Sequence, residues 1–171
     1  MNEEFQKIYE NYSKEIYIFL LKMVGFRKDV AEELTQETFY QVFISLHRYR
    51  GECDIKTWIC QIAKNSCFKY YKKNPIQISL QSDDFNESDL KEIVVDPEEY
   101  LERMELAELL RAYIIKLKPK YRDVLTFRLY FGTPFKQIGS LLHINENSAK
   151  VIYYRGREMI KRMLKETYYG E

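Results

Sequence analysis

Residues 134–160 read PFKQIGSLLHINENSAKVIYYRGREMI, and their spacing settles how the C-terminal part of the chain must fold. Phe135, Ile138 and Leu142 recur at helical steps, and Gly139 beside them is small enough to let another helix come close. His143-Ile144-Asn145 interrupts that pattern, with Ile144 plugging the turn and Asn145 suited to cap a second helix. Ala149, Tyr153, Gly156 and Ile160 then return at helical steps and share the inward face of that helix. Two helices, a short turn and small residues at the crossing describe a helix-turn-helix unit. The second helix turns Asn147, Ser148, Lys150, Val151, Tyr154, Arg155 and Arg157 outward. Arg can grip guanine or phosphate with two hydrogen bonds, and Lys can anchor phosphate, so this face suits duplex DNA.

Working upstream, the chain keeps reading as helix. Thr133-Pro134 starts the first helix of that unit, after Gly132 has ended a shorter one that opens at Pro119 and runs to Tyr130. Asp96-Pro97-Glu98-Glu99 is a strong helix start: Asp96 can cap, Pro97 fits the first position, and the glutamates suit the positive end of the dipole. That helix carries Leu101, Met104, Leu110, Ile114 and Leu117 and ends near Lys116. The N-terminal half predicts three more. One runs from about Glu3 to Val24 on Phe5, Ile8, Tyr9, Tyr12, Ile16, Phe19, Leu20 and Met23, and Gly25 breaks it. A second runs from about Lys28 to Tyr49 on Leu34, Phe39, Val42, Phe43 and Leu46. A third carries Ile55, Trp58, Ile59, Ile62 and Ala63 and continues to Lys73 before Pro75 stops it. With only 6 Gly and 4 Pro in 171 residues, few strand-punctuating turns can exist, so the expected class is all-α.

The formal net charge of +1 hides an uneven distribution. Residues 1–74 hold 12 basic and 10 acidic side chains, residues 75–100 hold 1 and 8, and residues 101–171 hold 14 and 8. Two small basic domains joined by a flexible acidic linker is therefore the predicted organisation, and a polyanion is the natural partner of such bodies. Neither a secretory signal nor a membrane span is legible. The start is acidic, and the most apolar run, Ile16 to Leu21, is roughly a third of a span. A cytoplasmic protein without membrane insertion is expected. Cys53, Cys60 and Cys67 lack CxxC spacing, and His47 and His143 have no ligand-like neighbours, so no metal or other cofactor is expected. A phosphate-cradling Gly-rich loop is missing, as is a nucleophile with a nearby base, so the reading is not an enzyme.

Two features of the first half need a common explanation. Glu33-Leu34-Thr35-Gln36-Glu37-Thr38-Phe39 puts acids on an amphipathic helix of an otherwise DNA-suited chain. Tyr49-Arg50-Gly51, Trp58, Lys64-Asn65 and the run Phe68-Lys69-Tyr70-Tyr71-Lys72-Lys73 interleave rings with cations. Single-stranded nucleic acid demands that mixture, because bases stack on rings while cations hold the backbone.

Taken in order, AEELTQETF (31–39), YRG (49–51), TWICQIAKN (57–65), LKPKYRDVL (117–125) and the final helix-turn-helix resemble an extracytoplasmic-function (ECF) sigma factor of bacterial RNA polymerase. The resemblance covers nearly all of the chain outside the linker and implies a role for each constellation. Residues 1–74 would form region 2, with Glu33, Leu34, Gln36, Glu37 and Phe39 against the core polymerase. Arg50, Gly51, Lys64 and Asn65 would hold the unpaired −10 element, flanked by Lys69, Tyr70, Lys72 and Lys73. Residues 101–171 would form region 4, whose final helix reads the −35 element through Lys150, Val151, Tyr154 and Arg155, with Asn147, Ser148 and Arg157 on the same face. The implied partners are core polymerase, promoter DNA and an anti-sigma factor, often membrane-anchored. Lys69 and Ile152 stand where the family commonly carries Asp and Arg, and Asn147-Ser148-Ala149 replaces a common Gly-Thr-Val. The rival reading is a stand-alone helix-turn-helix regulator, which leaves the acidic stretch at 33–39 without a purpose.

Overall fold

A computed structural model describes residues 2–76 and 97–170. Every element among them is helical: α1 (Glu3–Met23), α2 (Lys28–Ser45), a 3-10 turn (Leu46–Arg48), α3 (Ile55–Lys73), α4 (Pro97–Lys116), α5 (Pro119–Tyr130), α6 (Phe135–Leu142) and α7 (Glu146–Tyr169). The acidic linker expected at 75–100 lies, from 77 to 96, outside the described residues, and so does the proposed cap Asp96.

Local chemistry explains the boundaries. Asn2 caps α1 by accepting a hydrogen bond from the Glu4 amide at 3.1 Å, and Glu3 and Glu4 sit at the positive end of the helix. At its other end Gly25 adopts φ +65°, and the Phe26 amide reaches back to the Leu21 carbonyl at 2.8 Å, a Schellman-type closure that the missing Cβ makes easy. The α2 helix stops four residues earlier than expected. It tightens into the 3-10 turn at Leu46, and Tyr49 leaves it in an extended conformation. The last helix runs on to Tyr169, where Gly170 terminates it at φ +64°.

In the N-terminal body, Ile16, Phe19, Leu20 and Met23 of α1 pack with Ala31, Phe39 and Val42 of α2 and Ile59, Cys60, Ala63 and Cys67 of α3. In the C-terminal body, Leu109, Tyr113 and Ile114 of α4 meet Leu125 and Ile160. The two bodies do not sit apart. Val124, Phe127, Ile138 and Ala149 join the same continuous apolar cluster as α1–α3, and Phe131 lies against Phe19 with ring centroids 4.1 Å apart. Buried polar contacts reinforce this docking. The Arg111 guanidinium of α4 donates to the Met23 carbonyl at 2.8 Å and to the Tyr71 hydroxyl at 2.5 Å, while Tyr71 itself donates to Met23 at 2.6 Å. A tether alone would leave the bodies free; here a shared core and a buried guanidinium join them.

Candidate nucleic-acid interface

The helix-turn-helix forms as its spacing predicts. His143 takes the left-handed conformation at φ +57°, the Ile144 amide bonds to the Gly139 carbonyl at 2.9 Å, and Asn145 caps α7 by accepting from the Ser148 amide at 2.7 Å. Ala149, Gly156 and Ile160 are buried and Tyr153 half-buried, so the inward face is the expected one. Outward, Asn147, Val151, Tyr154, Arg155 and Arg157 are exposed, and Ser148 and Lys150 are partly so. Lys150 pairs with Glu146 at 3.1 Å, and Arg157 leans on the Tyr153 ring at 5.7 Å. Further along the helix, Arg162 extends the stripe of Tyr154, Arg155 and Glu158 along the same shallow surface. Sequence reasoning missed it, although its spacing from Arg155 is helical.

In the N-terminal body, the polar run on α3 divides between two environments. Asn65, Lys69, Lys72 and Lys73 are exposed along one side of the helix, which rises about 1.5 Å per residue and so spaces them over roughly 12 Å. Tyr70 is half-buried and its hydroxyl accepts a hydrogen bond from Arg27 at 3.0 Å. Arg50 and Gly51 are exposed on the loop before α3, where Gly51 adopts φ +72°. Tyr49 holds that loop by donating to the Cys53 carbonyl at 2.5 Å and packing on Trp58 at 5.4 Å.

Lys64 corrects the expectation placed on it. Its side chain is 1% exposed, with Nζ 2.8 Å from the Asp123 carboxylate of α5 and 5.3 Å from the Phe127 ring centroid. Burial pushes its pKa down and the adjacent carboxylate opposes that shift. In this arrangement Lys64 faces α5 and cannot touch a strand lying beside Asn65.

The acidic stretch on α2 also sorts by face. Glu33, Gln36 and Glu37 are exposed, but Leu34 and Phe39 are buried in the core. Those two anchor the helix and leave the outer surface to others, because Leu34, Thr35, Thr38, Phe39 and Val42 form the inward stripe. Thr35 and Thr38 belong there because their hydroxyls donate to the Ala31 and Leu34 carbonyls, each at 2.7 Å. The outer stripe then continues from Gln36 and Glu37 to Tyr40 and Ile44, which are 59% and 44% exposed, with Phe43 and Tyr9 exposed at its edge. Tyr40 and Ile44 went unrecognised because two polar threonines disguise the buried side. Helical spacing from Glu33 was the available signal.

The buried thiols of Cys60 and Cys67 are each pushed up to about 12 by burial, which keeps them protonated and unreactive near neutrality. Among the described residues no group of His, Cys, Asp and Glu is arranged to hold a metal, and no helix is long and apolar enough to cross a membrane.

Comparison with known proteins adds the family context. The Sigma-70 region 2 family matches residues 8–75, and the Sigma-70, region 4 family matches residues 107–160. The ECF RNA polymerase sigma factor SigM of Bacillus subtilis is 31% identical over 92% of this chain and 93% of its own length. SigX of the same organism is 26% identical over 95% of this chain and 84% of its own. Among solved structures, CnrH in complex with the cytosolic domain of CnrY superposes with a TM-score of 0.61 at 15% identity, covering 96% of this chain and 90% of CnrH. The sigma factor RpoE of Bartonella quintana, in complex with the anti-sigma factor NepR, gives 0.60 at 13% identity over 96% and 98%. These two likenesses establish the shared fold.

Proposed function

The chain belongs to the ECF sigma factors of bacterial RNA polymerase, and from that premise we propose which of its faces does which part of promoter recognition. A sigma factor of this type is a non-enzymatic initiation subunit that directs core polymerase to particular promoters. Residues 1–74 act as region 2, residues 75–100 as the acidic linker and residues 101–171 as region 4. The outer stripe of α2, Glu33, Gln36, Glu37, Tyr40 and Ile44, docks on core polymerase. Arg50, Gly51, Asn65, Lys69, Tyr70, Lys72 and Lys73 hold the opened −10 strand, where cations meet backbone and rings meet bases. The α7 face, Asn147, Ser148, Lys150, Val151, Tyr154, Arg155 and Arg157, reads the −35 duplex from the major groove.

The observation that carries this reading is the acidic and aromatic stripe on α2. Acids repel a DNA backbone, and exposed Tyr40, Phe43 and Ile44 beside them mark a protein-binding surface. A stand-alone regulator has no use for it. The test is transcription in vitro from a genomic promoter pool with core polymerase. Discrete transcripts that depend on this protein, with weak sequence-specific binding to duplex DNA alone, are expected. A tight symmetric footprint without polymerase, and no dependent transcript, would favour the stand-alone regulator instead.

An anti-sigma factor of the general kind bound by the Bartonella quintana protein is proposed as a further partner. Its presence is read by co-purification of a stoichiometric small protein from the native host.

A further inference from the structure

The corner between α1 and α2 carries a feature that the helix ends alone do not explain. Gly25 and Phe26 both take the left-handed conformation, at φ +65° and +60°. Glycine does so freely, but a bulky L side chain is strained there. Burial does not compensate, since Phe26 is 42% exposed. An exposed aromatic ring held on a strained backbone points to a use for the ring itself.

The surroundings show what kind of use. Arg27 donates from Nε to the Val24 carbonyl at 2.9 Å and from a terminal nitrogen to the Tyr70 hydroxyl at 3.0 Å. Its guanidinium lies 5.5 Å from the Tyr70 ring centroid, so Arg27 clasps the α1–α2 corner to the C-terminal end of α3. Phe26 stands one Cα step, about 3.8 Å, from that clasp. Lys69, Lys72 and Lys73 are exposed at the same end of α3, and Lys22, Arg27 and Lys28 are exposed around the corner. Asp29 is the one acid within residues 22–29, and Glu108 of α4, which approaches Gly25, is paired with Arg111. Such cations attract a phosphate backbone, and an exposed ring offers its face to a base. The chain leaves α3 at this end for the linker and the −35 reader, so this end faces the upstream side of the −10 element. There the opened strands rejoin as duplex, and the last base pair has one face bare of stacking.

We propose that Phe26 is a junction residue: its ring stacks on the bare face of that upstream base pair and holds the edge of the bubble open, while Arg27 fixes the corner beside Tyr70. The proposal rests on the assignment of α3 as the −10 reader and adds to it a residue outside α3 and its loop.

Holoenzyme is tested on one promoter from the transcription pool in two forms, fully paired and with a mismatched bubble over the −10 element. Phe26→Leu keeps an apolar side chain but no π face. Its open complexes on the paired promoter lose about five- to hundredfold in half-life, the range of one lost base–aromatic stack. Phe26→Trp keeps the wild-type half-life. On the mismatched promoter, whose strands cannot re-pair, the Phe26→Leu defect largely disappears. Phe26→Asn melts no lower than wild type, because Asn tolerates a positive φ, yet it loses half-life as Phe26→Leu does. The photo-crosslinker p-benzoylphenylalanine, introduced at position 26, joins DNA at the upstream edge of the −10 element.

Unchanged half-lives in Phe26→Leu and Phe26→Asn overturn the proposal. So does an equal defect on both promoters, a fall in melting that tracks the loss of half-life, or a crosslink to a polymerase subunit, which makes the ring a protein contact. Failure of the underlying assignment has a separate signature: N65A/K69A would form open complexes of wild-type half-life on the paired promoter, whatever Phe26 does.

Discussion

Gly139 of α6 sits so close to the turn before α7 that a Cβ on it would lie 2.7 Å from the Ile144 carbonyl oxygen. The obstacle is backbone, which cannot rotate away. Gly139→Ala must therefore push α6 from the turn, at a cost of about 1–3 kcal/mol, typical of overpacking. Gly156 makes a useful contrast, because its added Cβ would meet the Leu125 side chain at 2.9 Å, and a leucine can change rotamer. Gly156→Ala is expected nearer about 1 kcal/mol. Thermal denaturation of both variants checks the order, and a larger loss at Gly156 would contradict the geometry.

The two faces of α2 predict two different kinds of defect. Tyr40→Ala removes an exposed ring, so melting should hold while affinity for core polymerase drops by about 2 kcal/mol, or roughly thirtyfold in Kd, as for a central anchor. Glu37→Lys should weaken the same binding and reduce its sensitivity to salt. Leu34→Ala should instead lose about 2–5 kcal/mol of stability, as buried leucines do. Competition binding to core, run beside denaturant melts, separates these outcomes. Loss of core affinity in Leu34→Ala with unchanged stability would mean that Leu34 is a contact after all.

How much of the fold and the site was legible in the sequence depends on the range of the interactions. Gly25, Pro119, Gly132 and Asn145 act on their immediate neighbours, and the helix ends they imply are where the spacing puts them or within a residue or two. The end of α2 was less visible, because the tightening at Leu46 has no Gly or Pro to mark it. Apolar spacing on α7 separated its inward and outward faces correctly, since Ala149, Gly156 and Ile160 are unambiguous. It did worse on α2, where Thr35 and Thr38 look solvent-facing until their carbonyl partners are known. Lys64 was out of reach altogether. Its burial depends on Asp123, a residue of the other body, and no local pattern connects the two.

On α7, Arg155 and Arg157 are separable by experiment. Arg155 lines the open groove with Tyr154, whereas Arg157 rests against Tyr153. An arginine that reads a base should, on truncation to Ala, cost about 1–3 kcal/mol and relax preference at one promoter position. One that holds phosphate should weaken all promoters alike and lower the salt slope by about 0.9. Base reading is expected of Arg155 and phosphate holding of Arg157. Promoter-variant transcription at several salt concentrations, with polymerase present, distinguishes them, and the reverse pattern would exchange their roles.

Alkaline stability should be set by buried acids of the core. Burial pushes Cys60 and Cys67 from 9.0 up to about 12, and Tyr71 and Tyr130 from 10.0 up to about 12. A group whose folded pKa lies above its unfolded one gives up its proton first in the unfolded chain, so the unfolded state gains as pH rises between the two values. The stability these four groups support is complete below pH 9 and is lost progressively from 9 towards 12. Lys64 works in the opposite sense, because burial lowers its pKa and the unfolded chain holds the proton longer, but it is one group against four. Cys67→Ala opens a small void and should destabilise the protein at about pH 7, yet it also deletes one titrating thiol. Its deficit relative to wild type should therefore shrink between about pH 8 and about pH 10.5, as read by denaturant melts across that range. A constant deficit would show that the Cys67 thiol does not titrate differently in the folded and unfolded chains.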